Sequence, residues 1–461
     1  MKTTWNVLEE IVRAYPGGLS SASISNQVAP EVIRESLKKY DFGKPLPLDL
    51  LTQEVSDLFS KWSLHVSHPG YLGLFIPATT EASVVADALV ALYNPQLAVW
   101  SHAPAANEIE SHVLKYISGK IGYPEPETFS NFTSGGSEAN HTALLVALAK
   151  QVPAYVNEGV CSLERRPMVY MSVAGHNSFD KIVKNIGLGL KSLRKIETDD
   201  TWRINLATLE SQIESDISAG FRPAVIIGTA GTTASGAIDS LPELAALAKK
   251  YNMWFHVDAA WAGAAVLSKA LRHHLSGIEL SDSVTIDAHK WFSVAMGAGM
   301  FFTRHPEAVQ VAFGIPAVYM PSQAQTEPYA TTLQWSRRCI GLKLFMTLAE
   351  KGEEALIAQM EYQCKLTGHL RDRLTASGWK IVNDSPVGVL NFTHPQVLSG
   401  LISADDLRNR LELGGEFWLS TVPLPRHGKV LRACVTSFHT TEEHLDRVVE
   451  QLNDQLTNYS L

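Results

Sequence analysis

Short apolar runs near residues 169–173, 193–196, 224–229, 254–257, 284–286 and 300–303 are separated by helical patterns near 137–150, 180–186, 206–219 and 241–251. The runs show no clean alternation of apolar and polar residues, so both faces of each strand are expected to be covered. Strands of that kind with helices between them build a mostly parallel α/β sheet. In such sheets ligands gather at the carboxyl ends of the strands. Those ends are where this chain collects its polar and small residues.

The flanking segments read differently. Residues 1–80 form an N-terminal helical extension, with a helix near 7–14 that Tyr15-Pro16-Gly17-Gly18 breaks, a short helix near 31–39 and another near 50–65. The stretch from His68 to Pro77 is rich in aromatics, Gly and Pro, and reads equally as a packing loop or a pocket wall. Helices near 82–92 and 106–121 open a large domain expected to cover 81–345. A Pro-broken loop from 313 to 336 reads as a lid, and a helix is expected from Arg337 onward. Residues 346–461 carry helix (355–376), strand (379–382), strand (387–392), helix (404–413), strand (430–435) and helix (442–456), a small C-terminal α+β domain.

Composition excludes several classes. The net charge of −8 and the lack of any Lys/Arg block argue against nucleic acid or an anionic membrane as partner. No apolar run is long enough to span a bilayer. Cys161, Cys339, Cys364 and Cys434 are scattered, which fits neither a disulfide framework nor a zinc site. They read as buried thiols in a cytoplasmic protein, and no metal site is expected.

The residues that carry chemistry follow the strands. The run near 284–286 delivers His289 and Lys290, followed by Gly297 and Gly299. A partly desolvated Lys can act as a free amine and form a Schiff base with a carbonyl. The loop Phe132-Thr133-Ser134-Gly135-Gly136-Ser137 leads into a helix, as a phosphate cradle does. Asp258 ends the run near 254–257 and would need a cationic or N–H partner. His176 and Thr233 end two further runs. Taken singly, the Gly/Ser loop is also an ordinary helix cap, Asp258 an ordinary turn residue and His176 an ordinary structural histidine. Four strand ends and a cradle on one rim make a set that coincidence explains poorly.

The set resembles a pyridoxal-phosphate (PLP) enzyme of fold type I, the aspartate-aminotransferase type. More narrowly it is similar to the group II amino-acid decarboxylases, which include aromatic-L-amino-acid, glutamate and 2,4-diaminobutyrate decarboxylases. The resemblance runs from about Pro45 to the C-terminus and is sharpest at Thr133–Asn140, His256–Gly263, Asp287–Trp291 and Arg337–Leu344. It implies a mostly parallel seven-stranded sheet and a homodimer with the active site at the subunit interface. It also implies that Lys290 holds the cofactor as an internal aldimine, Asp258 pairs with the pyridine nitrogen, and His176 stacks on the ring and helps hold the substrate carboxylate. Gly136, Ser137 and His289 would bind the phosphate, and Thr233 and Ala260 would lie against the ring. Tyr319 would be the lid acid that protonates the substrate α-carbon. Phe75, Pro77, Gln96 and Ala98 would line the side-chain pocket.

The implied reaction is decarboxylation of an L-amino acid to a primary amine. Two relatives of that fold compete with it, a decarboxylating aldehyde synthase and a carbon–carbon lyase. A tyrosine at 319 favours the decarboxylase, and the lyase would want a basic phosphate site that no Lys/Arg cluster supplies. Gln96 and Ala98 stand where bulkier apolar residues are associated with aromatic substrates, which leans toward a small or medium aliphatic or polar amino acid, with aromatic ones next. Asp287-Ala288 replaces the Asn-Pro common in the aromatic enzymes. A carboxylate there would repel a phosphate unless protonated or turned away, so Asp287 is given no role.

Overall fold

In the computed structural model, which describes residues 4–315 and 327–457, the chain forms two compact units. One comprises Thr79–Lys365 and Asn383–Leu390. The other comprises Met1–Ala78, Leu366–Val382 and Asn391–Leu461. The N-terminal extension and the C-terminal part therefore belong to one unit, and the division expected at 345 lies instead between Lys365 and Leu366, further along the helix Leu342–Ala376. Backbone pairing is the reason. Leu72 N donates to Trp418 O at 2.9 Å, Cys434 N to Leu72 O at 2.7 Å, and Ile24 N to Gly415 O at 2.7 Å. The irregular segment around Tyr71 is thus stitched to the C-terminal strands, with Tyr71 stacked on Trp418 at 5.5 Å.

The larger unit holds a seven-stranded sheet of β1 (Phe129–Thr133), β2 (Pro167–Ser172), β3 (Leu193–Ile196), β4 (Arg222–Thr229), β5 (Trp254–Asp258), β6 (Ser283–Asp287) and β7 (Gly299–Thr303). Its order is β1-β7-β6-β5-β4-β2-β3. Every pairing among β6, β5, β4, β2 and β3 is parallel, and β7 is antiparallel to both β6 and β1. The carboxyl ends of β1, β2, β4, β5 and β6 consequently share one edge. The central strands are buried on both faces, as their unbroken apolar runs require. The helix Gly136–Gln151 packs through Ala139, Ala143, Leu144, Val146 and Ala147 into the same core as Val169, Val225 and Phe301.

The smaller unit carries a four-stranded sheet of order β10-β11-β9-β8, with β8 at Lys380–Ile381, β9 starting at Val389, β10 at Ser420–Leu424 and β11 at Gly428–Cys434. The β10 strand was not among those expected; it carries Pro423 and lies at a sheet edge, where a missing N–H is tolerated. The helix Thr4–Gly18 runs through Pro16 rather than breaking before it. Proline there leaves the carbonyl of Val12 without its helical donor, and Val12 is exposed. The helix expected from Arg337 begins only at Leu342. The amides of Ile340 and Gly341 donate instead to the buried Glu110 carboxylate, at 2.7 and 2.8 Å, and Arg337 pairs with it. Cys339 and Cys434 are buried, Cys364 half-buried and Cys161 exposed.

Two glycines of the Leu342–Ala376 helix test this backbone. Gly352 interrupts the helix with φ 75° and ψ 162°, and a Cβ there meets open space. Gly368 also has open space around a Cβ. Gly352→Ala should destabilise the fold by about 1–3 kcal/mol, the cost of a glycine-only conformation. Gly368→Ala should stabilise it by roughly 0.5–1 kcal/mol. Denaturant midpoints moving in the same direction would contradict the break at Gly352.

Candidate active site

The cradle forms where β1 ends. The chain turns through Ser134 and Gly135 into the helix that starts at Gly136. Ser134 donates to Glu138 Oε2 from its N–H at 2.8 Å and from its hydroxyl at 2.5 Å, and Gln334 Nε2 donates to both Glu138 oxygens at 2.9 Å. The turn is thereby fixed by its own helix. The first N–H groups of a helix have no intrahelical acceptor and sit at its positive end, which suits an anion.

Glycines let three loops close on this point. Gly299 lies in register between Thr133 of β1 and Asp287 of β6. A Cβ on Gly299 would stand 2.5 Å from the Gly135 carbonyl carbon and 2.5 Å from Thr133 Oγ1. A Cβ on Gly297 would stand 2.3 Å from Ser134 O, and one on Gly136 2.8 Å from Asp287 Oδ2. The buried Lys343 donates to the carbonyls of Ala295, Met296 and Gly297 at 3.1–3.3 Å, which holds the loop before β7. Burial pushes the Lys343 ammonium below its usual range, with Asp87 opposing.

Beyond β6 the chain presents His289 and Lys290. The Lys290 ammonium is 3.0 Å from Asp287 Oδ2, and His289 Nε2 is 3.7 Å from the same oxygen. Asp287 is 3% exposed and turned toward Lys290, so its charge is matched within the loop. Burial pushes the His289 imidazole below its usual range, with Asp287 opposing. The next residue, Trp291, stacks on Trp261 at 4.8 Å, and their indole N–H groups donate to Gln363 Oε1 and Val387 O. The loops after β5 and β6 are therefore fixed against each other.

Asp258 ends β5 and is 5% exposed. Its Oδ1 accepts from Ala260 N at 3.1 Å and its Oδ2 from Asn140 Nδ2 at 3.0 Å. Asn140 in turn meets the fully buried His256. Ala260 lies beside Gly136, whose Cβ would come within 3.3 Å of its methyl.

The structure thus brings Gly136, Ala260, Asp287, His289 and Lys290 together, with Ser137 next to Gly136 and Asp258 beside Ala260. His176 and Thr233 lie on the loops after β2 and β4 of the same edge, both exposed, and Ser178 N donates to His176 Nδ1 at 3.2 Å. Gln96 and Ala98 belong to the same unit. The Gln96 side-chain oxygen accepts from the amides of Ala98 and Arg337, so it serves the backbone. Phe75 and Pro77 are buried in the other unit. Tyr319 lies outside the described residues. Asn140 and His256 were passed over in the sequence, although a polar residue inside an apolar helix or strand signals a required partner.

A cofactor bearing a phosphate, an aldehyde and a pyridine nitrogen fits these residues. The glycine cradle and helix start suit the phosphate, Lys290 is an amine at the same loop, and Asp258 is an acid held by two donors. Among the described residues, no group of three or more His, Cys, Asp or Glu could hold a metal ion.

Comparisons with known proteins agree. Residues 30–394 match the family model described as the pyridoxal-dependent decarboxylase conserved domain. Aromatic-L-amino-acid decarboxylase of Bacillus atrophaeus is 28% identical over 448 residues, covering 94% of this chain and 91% of that protein. L-2,4-diaminobutyrate decarboxylase of Acinetobacter baumannii is 28% identical over 389 residues, covering 81% and 76%. The fold matches the crystal structure of Oryza sativa TDC with PLP and tryptamine at a TM-score of 0.92 and 22% identity, over 98% of this chain and 97% of that one.

Gly299→Ala should give a protein that does not retain the cofactor, because the new methyl group occupies the gap between Thr133 and Gly135. The absorbance of purified protein after PLP addition measures this. A variant as strongly coloured as the parent chain would show that the close approach is not needed.

Proposed function

We propose a mechanism for this chain from the premise that it belongs to the pyridoxal-dependent decarboxylase family, whose model matches most of its length. It is a PLP-dependent amino-acid decarboxylase, a carboxy-lyase. The observation that carries the residue assignment is the convergence of the Lys290 amine, the glycine cradle at Gly136 and the doubly held Asp258 on neighbouring strand ends.

When bound, the cofactor supplies an electron-poor ring that takes up the electron pair left on the α-carbon when carbon dioxide departs. Lys290 is the amine that would hold the cofactor's aldehyde and yield its place to the substrate amine. Asp258 would hold a proton on the pyridine nitrogen. Gly136, Ser137 and His289 would hold the phosphate, with the positive helix end beneath it. His176 would lie against the ring and steady the substrate carboxylate, and Thr233 and Ala260 would bound the ring on its sides. Tyr319, or Lys290 once freed, would deliver the proton that replaces the lost carboxylate. Gln96 and Ala98 would line the side-chain pocket, which favours a small or medium aliphatic or polar amino acid.

The working form is a cytoplasmic homodimer in this reading. Support comes from the helices Thr4–Gly18 and Leu48–Trp62 of the smaller unit, which expose Trp5, Leu8, Val12 and Phe59 to solvent. No helix among the described residues is long and apolar enough to cross a membrane.

Lys290→Ala should abolish turnover and remove the visible absorption that the cofactor gains on binding; retention of parental activity would sink the assignment. Tyr319→Phe should slow amine formation and divert product toward an aldehyde, as read by coupled carbon dioxide and aldehyde assays. An unchanged rate and product ratio would remove the lid-acid role.

A further inference from the structure

Asn140 lies one helical turn beyond the cradle, in a helix whose buried side chains are otherwise apolar except for Thr142. Its amide can point only one way. Nδ2 donates to Asp258 Oδ2 at 3.0 Å, because a carboxylate accepts and does not donate. The amide oxygen is then left to face His256 Nε2 at 3.0 Å, and that nitrogen must carry the proton. In a neutral imidazole the other nitrogen is an acceptor, so His256 Nδ1 accepts the hydrogen bond of the Ser283 hydroxyl at 2.8 Å. Ser283 Oγ accepts in turn from Trp254 Nε1 at 2.8 Å. The result is a relay of fixed polarity, Trp254 to Ser283 to His256 to Asn140 to Asp258, in which every donated proton points toward the carboxylate.

Geometry makes the relay rigid. Trp254, His256 and Asp258 alternate on one face of β5, and Ser283 is the cross-strand partner of His256 on β6. All five side chains are at most 5% exposed. Burial also pushes the His256 imidazole down to about 4, against the opposing pull of Asp258, so it stays neutral across the working range.

We propose that Asn140, oriented by His256 and Ser283, is the positioning residue that keeps the Asp258 carboxylate charged and aimed, and thereby keeps the pyridine nitrogen of the bound cofactor protonated. The proposal rests on the reading of Asp258 as the partner of that nitrogen. A hydrogen bond to the charged form of a buried acid favours that form. Of the two N–H bonds that hold Asp258, the one from Asn140 is the side-chain one, and the other comes from the backbone at Ala260.

The test is the nitrogen-15 spectrum of the enzyme reconstituted with PLP labelled at the pyridine nitrogen, followed against pH. In the parent enzyme the nitrogen should be protonated throughout. Asn140→Leu and His256→Phe should move the nitrogen-15 signal toward the unprotonated position at a given pH, because the shared proton passes to the Asp258 carboxylate, and lower kcat by about ten- to a hundredfold, the scale of one charge-assisted hydrogen bond. His256→Gln, which can still donate to the Asn140 oxygen, should restore the parental shift. If both Asn140→Leu and His256→Phe bind the cofactor and leave the nitrogen-15 titration unchanged, the relay has no such role. An unprotonated nitrogen in the parent enzyme overturns the Asp258 reading itself, and the proposal with it. Should Asn140→Leu fail to fold, His256→Phe, which leaves Asn140 in place but unheld, decides the matter by the same spectrum.

Discussion

A carboxylate buried at the end of a β-strand needs hydrogen-bond donors supplied to it. Asp258 meets that condition with a backbone N–H and an amide, and much of the local architecture serves to bring them there. The helix Gly136–Gln151 contributes both the anion-binding start at Gly136 and the amide of Asn140 one turn later. A one-residue slip of β5 would turn His256 and Asp258 to the opposite face of the sheet and leave Asn140 against an apolar side chain. The acid and the cradle are therefore set by one helix and one register.

The second constraint is close approach. The antiparallel β7 lies between β1 and β6, and Gly299 stands in register with the last residue of each. A side chain at that point would force Ser134 and Gly135 away from the Lys290 loop. Lys343, buried beneath three carbonyls, fixes the same loop from the other side. Lys290 is half-buried, and Asp287 supplies the matching negative charge.

Most of the sheet was legible because fully buried parallel strands leave long apolar runs, as at Ala224–Thr229. The strand β1 was not, since Ser130 and Asn131 interrupt its apolar residues and its pairing to β7 is written more than 160 residues away. Lys290, Asp258 and the Gly135-Gly136 loop were readable from residue type and position at strand ends. The role of Asp287 was not, because whether a carboxylate faces a phosphate or a lysine depends on a side-chain direction that the sequence does not record. Asn140 and His256 were visible as polar residues in apolar runs, but only their contact reveals that each is the reason for the other. The joining of the N-terminal extension to the C-terminal part escaped for the same reason, being made of backbone bonds at Leu72 and Cys434 that no residue type announces.

The central claim is that Lys290 is the amine that carries the cofactor. Reduction of the PLP-loaded protein with borohydride, followed by peptide mapping, measures this directly. One pyridoxyl group per chain is expected, on the peptide containing Lys290. A label on another lysine, or none at all on protein that binds the cofactor, would contradict it.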